Sequence, residues 1–121
     1  MCLGQSYLDR LHKLEAEMKE TSELLSRLES DIDKQVSKIY HDIERETFNV
    51  EGGYNLAKKL KDVLQERRVI KDETARFRSV YHAFNETLRS IENQYKQAVR
   101  HSEKVRRSLN VKLTIEEVFP L

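Results

Sequence analysis

The stretch TFNVEGGYNLAKKL, Thr47–Leu60, interrupts a sequence that otherwise reads as continuous helix. It holds two of the three glycines of the chain, Gly52 and Gly53, side by side. A glycine accepts the positive φ with which a chain leaves a turn, and Asn49 is a frequent turn residue. We therefore expect a bend here that joins two helices. The predicted boundaries are a helix over residues 6–47, a turn over residues 48–53 and a second helix over residues 54–109.

A double glycine before a lysine-rich helix also raises the question of a phosphate-binding loop. A P-loop requires Gly-x-x-x-x-Gly-Lys-Ser/Thr after a strand, so that backbone N–H groups wrap the phosphates. In this stretch the glycines are adjacent, no Ser or Thr follows a lysine, and the preceding pattern is helical. The residues favour a hinge over a nucleotide site.

Both predicted helices carry a stripe of apolar residues at alternating spacings of three and four, as coiled coils do. The first stripe is Tyr7, Leu11, Leu14, Met18, Thr21, Leu25, Leu28, Ile32, Gln35 and Ile39, and Val36 and Ile43 extend it at wider spacing. The second is Leu56, Leu60, Val63, Arg67, Ile70, Thr74, Phe77, Tyr81, Phe84, Leu88, Ile91, Tyr95, Ala98, Ser102, Val105 and Leu109. The short connection predicts an antiparallel pair. The fold class is therefore all-α, a long antiparallel helical hairpin or coiled coil over residues 1–110.

The register of this hairpin has two consequences. Arg67 falls opposite Ile32 and beside acidic Asp31 and Asp33, and a charged seam residue with acidic neighbours can fix register. The second helix is also longer than the first, so the part of its seam beyond Ile91 has no residues of the first helix opposite it. An unpaired apolar stripe marks an interaction surface. Either a second copy of the chain or another protein would fill it.

Composition supports a thin core and self-association. The 121 residues are 38% apolar and 36% charged, and a chain of this size buries little surface alone. We expect a homo-oligomer, a dimer or a tetramer. Residues 1–51 carry 12 acidic and 7 basic side chains, whereas residues 52–121 carry 9 acidic and 15 basic ones. Attraction between the two helices explains this asymmetry, and a basic binding surface on the second half is the alternative.

The pattern changes at Asn110. Val111, Leu113 and Ile115 alternate with polar residues, which predicts a strand or an extended arm over residues 111–121. The end of the arm is acidic and apolar. A swapped strand within an oligomer, disorder, or insertion into a partner protein would each account for it.

Candidate chemistry is sparse. His41 with Glu44, and His82 with Glu86, share helix faces, but these histidines lie beside the seam and solvated side chains are favoured over a metal site. No activated nucleophile or water-excluding pocket is apparent. We therefore expect no enzyme activity, no cofactor and no bound metal.

The end of the second helix is basic. Residues 96–112 contain six Lys or Arg side chains and one acidic residue, Glu103. Such a helix can contact a nucleic-acid backbone, or hold an anionic ligand between protomers. The residues that would do so are Arg100, Lys104, Arg106 and Arg107. A solvated basic face is the plainer interpretation.

Location is only weakly indicated. Cys2 is the single cysteine, so no internal disulfide can form, which fits a reducing cytoplasm. The start of the chain lacks the apolar region of a signal peptide, and no stretch is long enough to span a membrane. We expect a cytoplasmic protein.

The stretch Tyr40–Glu73 contains His41-Asp-Ile-Glu44, the bend Glu51-Gly52-Gly53-Tyr54, and Glu66-Arg67-Arg68 followed by Lys71-Asp72-Glu73. It resembles a segment of small uncharacterised helical proteins of Bacillus-type phages and prophages. The resemblance covers about a quarter of the chain. It implies a phage accessory protein in a bacterial host cell, where small helical proteins often inhibit host factors.

Together these features predict a non-enzymatic protein-binding module, and the resemblance implies a phage-encoded antagonist of a host defence or toxin protein. A purely structural coiled coil, such as a virion or scaffold component, is the further alternative to nucleic-acid or anion binding. The expected partner-binding residues are Tyr95, Val99, Val105, Leu109, Val111, Leu113, Ile115, Glu116, Glu117, Val118, Phe119 and Leu121.

Overall fold

The computed structural model describes residues 3–119, of which 91% are helical, and none of these residues lies in a strand. Helix α1 spans Leu3–Arg45, helix α2 spans Val50–Leu109, and the short helix α3 spans Ile115–Val118. Helices α1 and α2 pack against each other as an antiparallel hairpin. The predicted all-α hairpin is therefore confirmed.

The hairpin divides into two compact units. The loop unit is Lys19–Val80 and contains the connection between α1 and α2. The terminal unit is Met1–Met18 with Tyr81–Leu121, and it contains the residues that follow α2, which we call the arm. Cys2, Pro120 and Leu121 lie outside the described residues.

The turn is shorter than the sequence predicts, because the glycines belong to α2. Only residues 46–49 separate α1 from α2, and neither glycine has a positive φ. Asn49 caps the helix instead. The Gly52 N–H donates to Asn49 Oδ1 at 2.8 Å, and the Gly53 N–H donates to the Asn49 carbonyl at 2.9 Å. The cap satisfies N–H groups that a helix start leaves free, so α2 begins at Val50 rather than at residue 54.

The glycines are required by a close approach, not by a left-handed backbone. A Cβ at Gly52 would lie 3.1 Å from Phe48 Cβ, and one at Gly53 would lie 3.1 Å from Phe48 Cδ2. Phe48 therefore folds over the first turn of α2, and the missing side chains make room for it.

The core of the loop unit is a small apolar cluster between the two helices. Ile32, Ile39 and Val63 are buried, and four half-buried residues pack against them: Val36, Ile43, Leu60 and Ile70. The predicted seam of α2 is confirmed in this unit, because Leu56, Val63, Thr74 and the residues between them at seam spacing are buried or half-buried.

The seam of α1 is only half as predicted. Leu25, Ile32 and Ile39 face α2, but Thr21, Leu28 and Gln35 are exposed. Their places are taken by the residues one position later: Ser22, Glu29 and Val36. Val36 and Ile43 pack against the core, as the sequence predicts, and Glu29 lies beside the cations of α2.

The terminal unit shows the same displacement. Leu8 is buried and Tyr7 is exposed, and on α2 Leu88 is buried whereas Ile91 is exposed. Beyond Leu88 the half-buried positions are Glu92, Tyr95 and Val99. Ala98, Val105 and Leu109, which were expected to continue the seam, are exposed.

Candidate functional site

Helix α2 ends in a capped turn that reverses the chain. Asn110 has a positive φ of 51°. The Val111 N–H donates to the Arg106 carbonyl at 2.9 Å, and the Asn110 N–H donates to the Arg107 carbonyl at 3.3 Å. This pair of bonds is a Schellman motif, in which asparagine is one of the few residues other than glycine that accept the left-handed position. The motif directs the arm back toward α2.

The arm is not a strand. Residues 111–114 have no regular structure, and Ile115–Val118 form the single turn α3. The Phe119 N–H closes this turn on the Ile115 carbonyl at 2.7 Å. The prediction of a strand or extended arm over residues 111–121 is therefore wrong at Ile115–Val118, because the alternating pattern ends at Glu116 and these residues close their own hydrogen bonds locally.

One side chain of α2 fastens the arm. Arg106 Nη1 donates to the Leu113 carbonyl at 3.1 Å. Ile115 is the half-buried residue of the arm, and it faces a cleft of about 510 Å³ in the terminal unit. The cleft is lined by Leu3, Gly4, Tyr95, Val99, Ser102, Glu103, Arg106, Thr114, Ile115 and Glu116. Tyr95 and Val99 thus face the arm, and the expectation that nothing lies opposite the seam beyond Ile91 is wrong.

The remaining apolar residues of this end are left exposed. Leu109 is 69% exposed, Val118 is 66% exposed and Phe119 is 59% exposed. Val105, Val111 and Leu113 are also exposed, to smaller fractions. The structure therefore separates the predicted partner-binding residues into two groups. Tyr95, Val99, Ile115 and Glu116 line the cleft, whereas the others, with Glu117, point to solvent; Leu121 lies outside the described residues.

The four predicted anion-binding residues are also divided. Arg106 is occupied by the Leu113 carbonyl, and Arg107 Nε donates to the Glu103 carbonyl at 3.4 Å. Arg100 and Lys104 are exposed. Arg106 and Arg107 therefore lie at the end of α2 near the arm, whereas Arg100 and Lys104 lie on the open surface.

Charges in the loop unit are arranged differently. Arg67 Nε donates to Asp33 Oδ1 at 2.8 Å, which confirms the predicted neighbourhood of Arg67. Lys71 lies 3.7 Å from Glu29 and 3.9 Å from Asp33, and Arg78 lies 3.8 Å from Glu29. The hydrogen bond from Arg67, aided by the positive charges of Lys71 and Arg67, holds the pKa of the Asp33 carboxyl below its ordinary value despite some desolvation.

Sequence reasoning missed the contact of His12 with Glu92 and, among the described residues, the unpaired hydroxyl of the seam residue Thr74. His12 Nε2 lies 3.1 Å from Glu92 Oε1 and so links the helices of the terminal unit. The sequence pattern did not predict this contact, because the predicted register placed Ile91 rather than Glu92 on the seam. Thr74 is 2% exposed, and its Oγ1 has no hydrogen-bond partner within the described part of the chain.

Metal and membrane features can be stated for residues 3–119 only. Across that range no three His, Cys, Asp or Glu side chains are grouped as metal ligands would be. His41 and His82 are exposed. The helices of the same range contain no apolar stretch that could cross a bilayer.

The glycine stretch carries no anion site. The Gly52 and Gly53 N–H groups are already bonded to Asn49, so they are not available to phosphate. Comparison with known proteins finds no protein-family model, no curated protein and no solved structure that matches this chain.

Proposed function

We propose that this chain is a non-enzymatic protein-binding module that acts through the arm and the adjoining end of α2. The observation that supports the proposal most directly is the exposure of Val118 and Phe119 on an arm that is itself fastened to α2. Exposed apolar side chains in a fixed backbone bind a partner with less loss of conformational entropy than a free tail would.

The chemistry of the arm defines the partner. Glu116 and Glu117 precede the exposed pair and occupy the first turn of α3. A protein with an apolar groove edged by lysine or arginine is complementary to this sequence of charges and apolar groups. The aromatic ring of Phe119 would fill the pocket, and the acidic residues would set the orientation.

The identity of the partner is a finer proposal. The resemblance of Tyr40–Glu73 to phage and prophage proteins supports a host protein in a bacterial cell, specifically a defence or toxin protein that the chain antagonises. Self-association through the exposed end of α2 remains part of the proposal, and it predicts a mass in solution above that of one chain.

The test is capture of a partner by the full chain, with a matched pair of variants. Val118→Ser with Phe119→Ser removes the exposed apolar groups and leaves the fastening at Arg106 and Ile115 in place. Val50→Ser is the control, because Val50 is 92% exposed but belongs to the loop unit. A protein captured from host lysate by the parent chain and the control, identified by mass spectrometry, should be absent with the double variant.

Competition makes the test specific. A peptide with the sequence of residues 110–121 should displace the captured protein. Equal capture by the double variant, or capture that the peptide leaves unchanged, would contradict a role for the arm. Light scattering on the same samples measures the mass and separates a host partner from a second copy of this chain.

A further inference from the structure

A row of basic residues runs along one face of α2 in the terminal unit and ends at Arg107, which lies near Val111 and Lys112 of the arm. Its members, which we call the basic stripe, are Arg89, Lys96, Arg100, Lys104 and Arg107. Their spacings of seven, four, four and three place them on one side of the helix. At about 1.5 Å per residue the stripe is roughly 27 Å long. All five side chains are exposed.

The stripe is not neutralised by the protein. Among the described residues, no carboxylate forms an ion pair with any of its five members. Glu103 lies at its edge, and Glu92 faces His12 instead. Three cations of α2 in the loop unit differ, since Arg67, Lys71 and Arg78 all have acidic partners on α1. Attraction between the two helices therefore explains these three cations but not the stripe.

Helix stability does not explain the stripe either. The negative end of the helix dipole favours cations in the last turn, which accounts for Arg107. That effect fades within a turn, so it does not reach Arg89, Lys96 or Arg100. Moreover, Lys96 with Arg100 and Arg100 with Lys104 are like charges four residues apart, and each pair weakens a helix by about 0.2–0.5 kcal/mol.

We propose that the basic stripe binds the phosphate backbone of a nucleic acid without reading its sequence. The stripe is linear and matches a linear polyanion, and it could contact up to about five phosphates over roughly eight base pairs. Asn93 and Gln97 adjoin the cations on α2, and their amides can donate to phosphate oxygens. A membrane-surface helix would need apolar residues beside the cations, whereas Ile91 and Leu109 lie on another side of α2.

The probe is a fluorescent DNA duplex of mixed sequence, about 30 base pairs long, titrated with the full chain and followed by anisotropy. With about four phosphates contacted, affinity should fall about a hundredfold between roughly 50 and 200 mM salt. A second duplex of unrelated sequence should bind equally well. Arg100→Gln with Lys104→Gln should weaken binding and reduce the slope of log K against log salt by about two.

The matched control is Lys58→Gln with Lys59→Gln, which removes two exposed cations from α2 in the loop unit. It should leave affinity and salt slope nearly unchanged. Circular dichroism confirms that each variant keeps its helix content. No binding at low salt, or equal loss in the stripe variant and the control, would overturn the proposal.

Two further binding measurements test whether other polyanions bind as well as nucleic acid does. Stronger binding to vesicles of anionic lipid, or equal binding to poly-glutamate, would overturn the commitment to nucleic acid. The stripe is independent of the arm: Val118→Ser with Phe119→Ser should still bind DNA, and the stripe variant should still capture the protein partner. Failure of one proposal is thus distinguishable from failure of the other.

Discussion

The two units of the hairpin place the same kinds of residues in different surroundings. In the loop unit, three cations of α2 (Arg67, Lys71 and Arg78) are paired with acids of α1, and three apolar side chains are buried in one cluster between the helices. In the terminal unit, the basic stripe has no acidic partner among the described residues, and Leu109, Val118 and Phe119 are exposed. The loop unit thus pairs these charges and buries these apolar side chains internally, whereas the terminal unit exposes charged and apolar surface to which other molecules can bind.

Net charge and composition do not reveal this difference between the two units, in which some cations are paired and others are not. A chain with a formal charge of +1 has little overall attraction for polyanions. Acidic residues of α1 compensate the charges of Arg67, Lys71 and Arg78, whereas the cations of the stripe have no such partner among the described residues. Exposed surfaces that the fold does not use are where binding should be sought.

The largest expected effect is on stability and separates buried from exposed apolar residues. Ile39 is 2% exposed in the core of the loop unit, so Ile39→Ala should lower the free energy of unfolding by about 3 kcal/mol. Leu109→Ala should change it by less than about 0.5 kcal/mol, because little surface is lost from a packed site. Urea unfolding followed by circular dichroism measures both. Similar losses in the two variants would mean that Leu109 is covered, as it would be in an oligomer.

The second effect tests the unsatisfied threonine of the loop unit. Thr74→Val replaces the unpartnered Oγ1 with a methyl group of similar size and should stabilise the chain by about 1 kcal/mol. Thr87→Val is the control, since Thr87 Oγ1 donates to the Ala83 carbonyl at 2.8 Å. The control should be neutral or slightly destabilising in the same urea assay. A loss of stability in Thr74→Val would show that the hydroxyl has a partner.

The third effect tests the role of the glycines. Alanine normally stabilises a helix by up to about 1 kcal/mol relative to glycine. At Gly52 the added methyl would meet Phe48 Cβ and the capping Asn49 Oδ1, so Gly52→Ala should lose that gain and weaken the cap. At Gly53 it meets only the Phe48 ring, which can rotate away. Gly53→Ala should therefore be the more stable variant, and the reverse order of urea midpoints would contradict the packing of Phe48.

Much of the hairpin could be predicted from the sequence. The seam of α2 up to Leu88 and the meeting of Arg67 with Asp33 followed from heptad spacing alone. The seam of α1 did not, because Leu28 and Glu29 are adjacent on the helix and either can flank the seam. The choice depends on Lys71 and Arg78 of α2, which attract Glu29. Periodicity within one helix contains no information about the charges of another.

The candidate site was predictable in composition but not in arrangement. The alternation of Val111, Leu113 and Ile115 suggested an extended arm, yet its course is set by Asn110 and by the bond from Arg106 to the Leu113 carbonyl. Asparagine directly after the last helical residue is a recognised stop signal, and it could have predicted the reversal. The bond from Arg106 connects residues seven apart across that reversal, and no sequence pattern specifies it.

The smallest expected effect is the pH dependence of the ion pairs in the loop unit. The hydrogen bond from Arg67 lowers the pKa of Asp33 below its ordinary value of 3.8, so the folded state favours the ionised carboxyl. That contribution to stability is complete well above pH 3.8 and is lost as the pH falls through the lowered pKa of the folded chain. Asp33 and Arg67 are both substantially exposed, so solvent screens the pair and the effect should be small. Asp33→Asn should remove this part of the acid destabilisation, and hydrogen exchange resolved by segment should locate the difference in Lys19–Val80 rather than in the arm. Equal loss of stability in the variant and the parent, as the pH falls from well above 3.8 through the lowered pKa of Asp33, would contradict this expectation. In that case the pairing of Arg67 with Asp33 does not distinguish the two units, and the contrast between them rests on apolar burial alone.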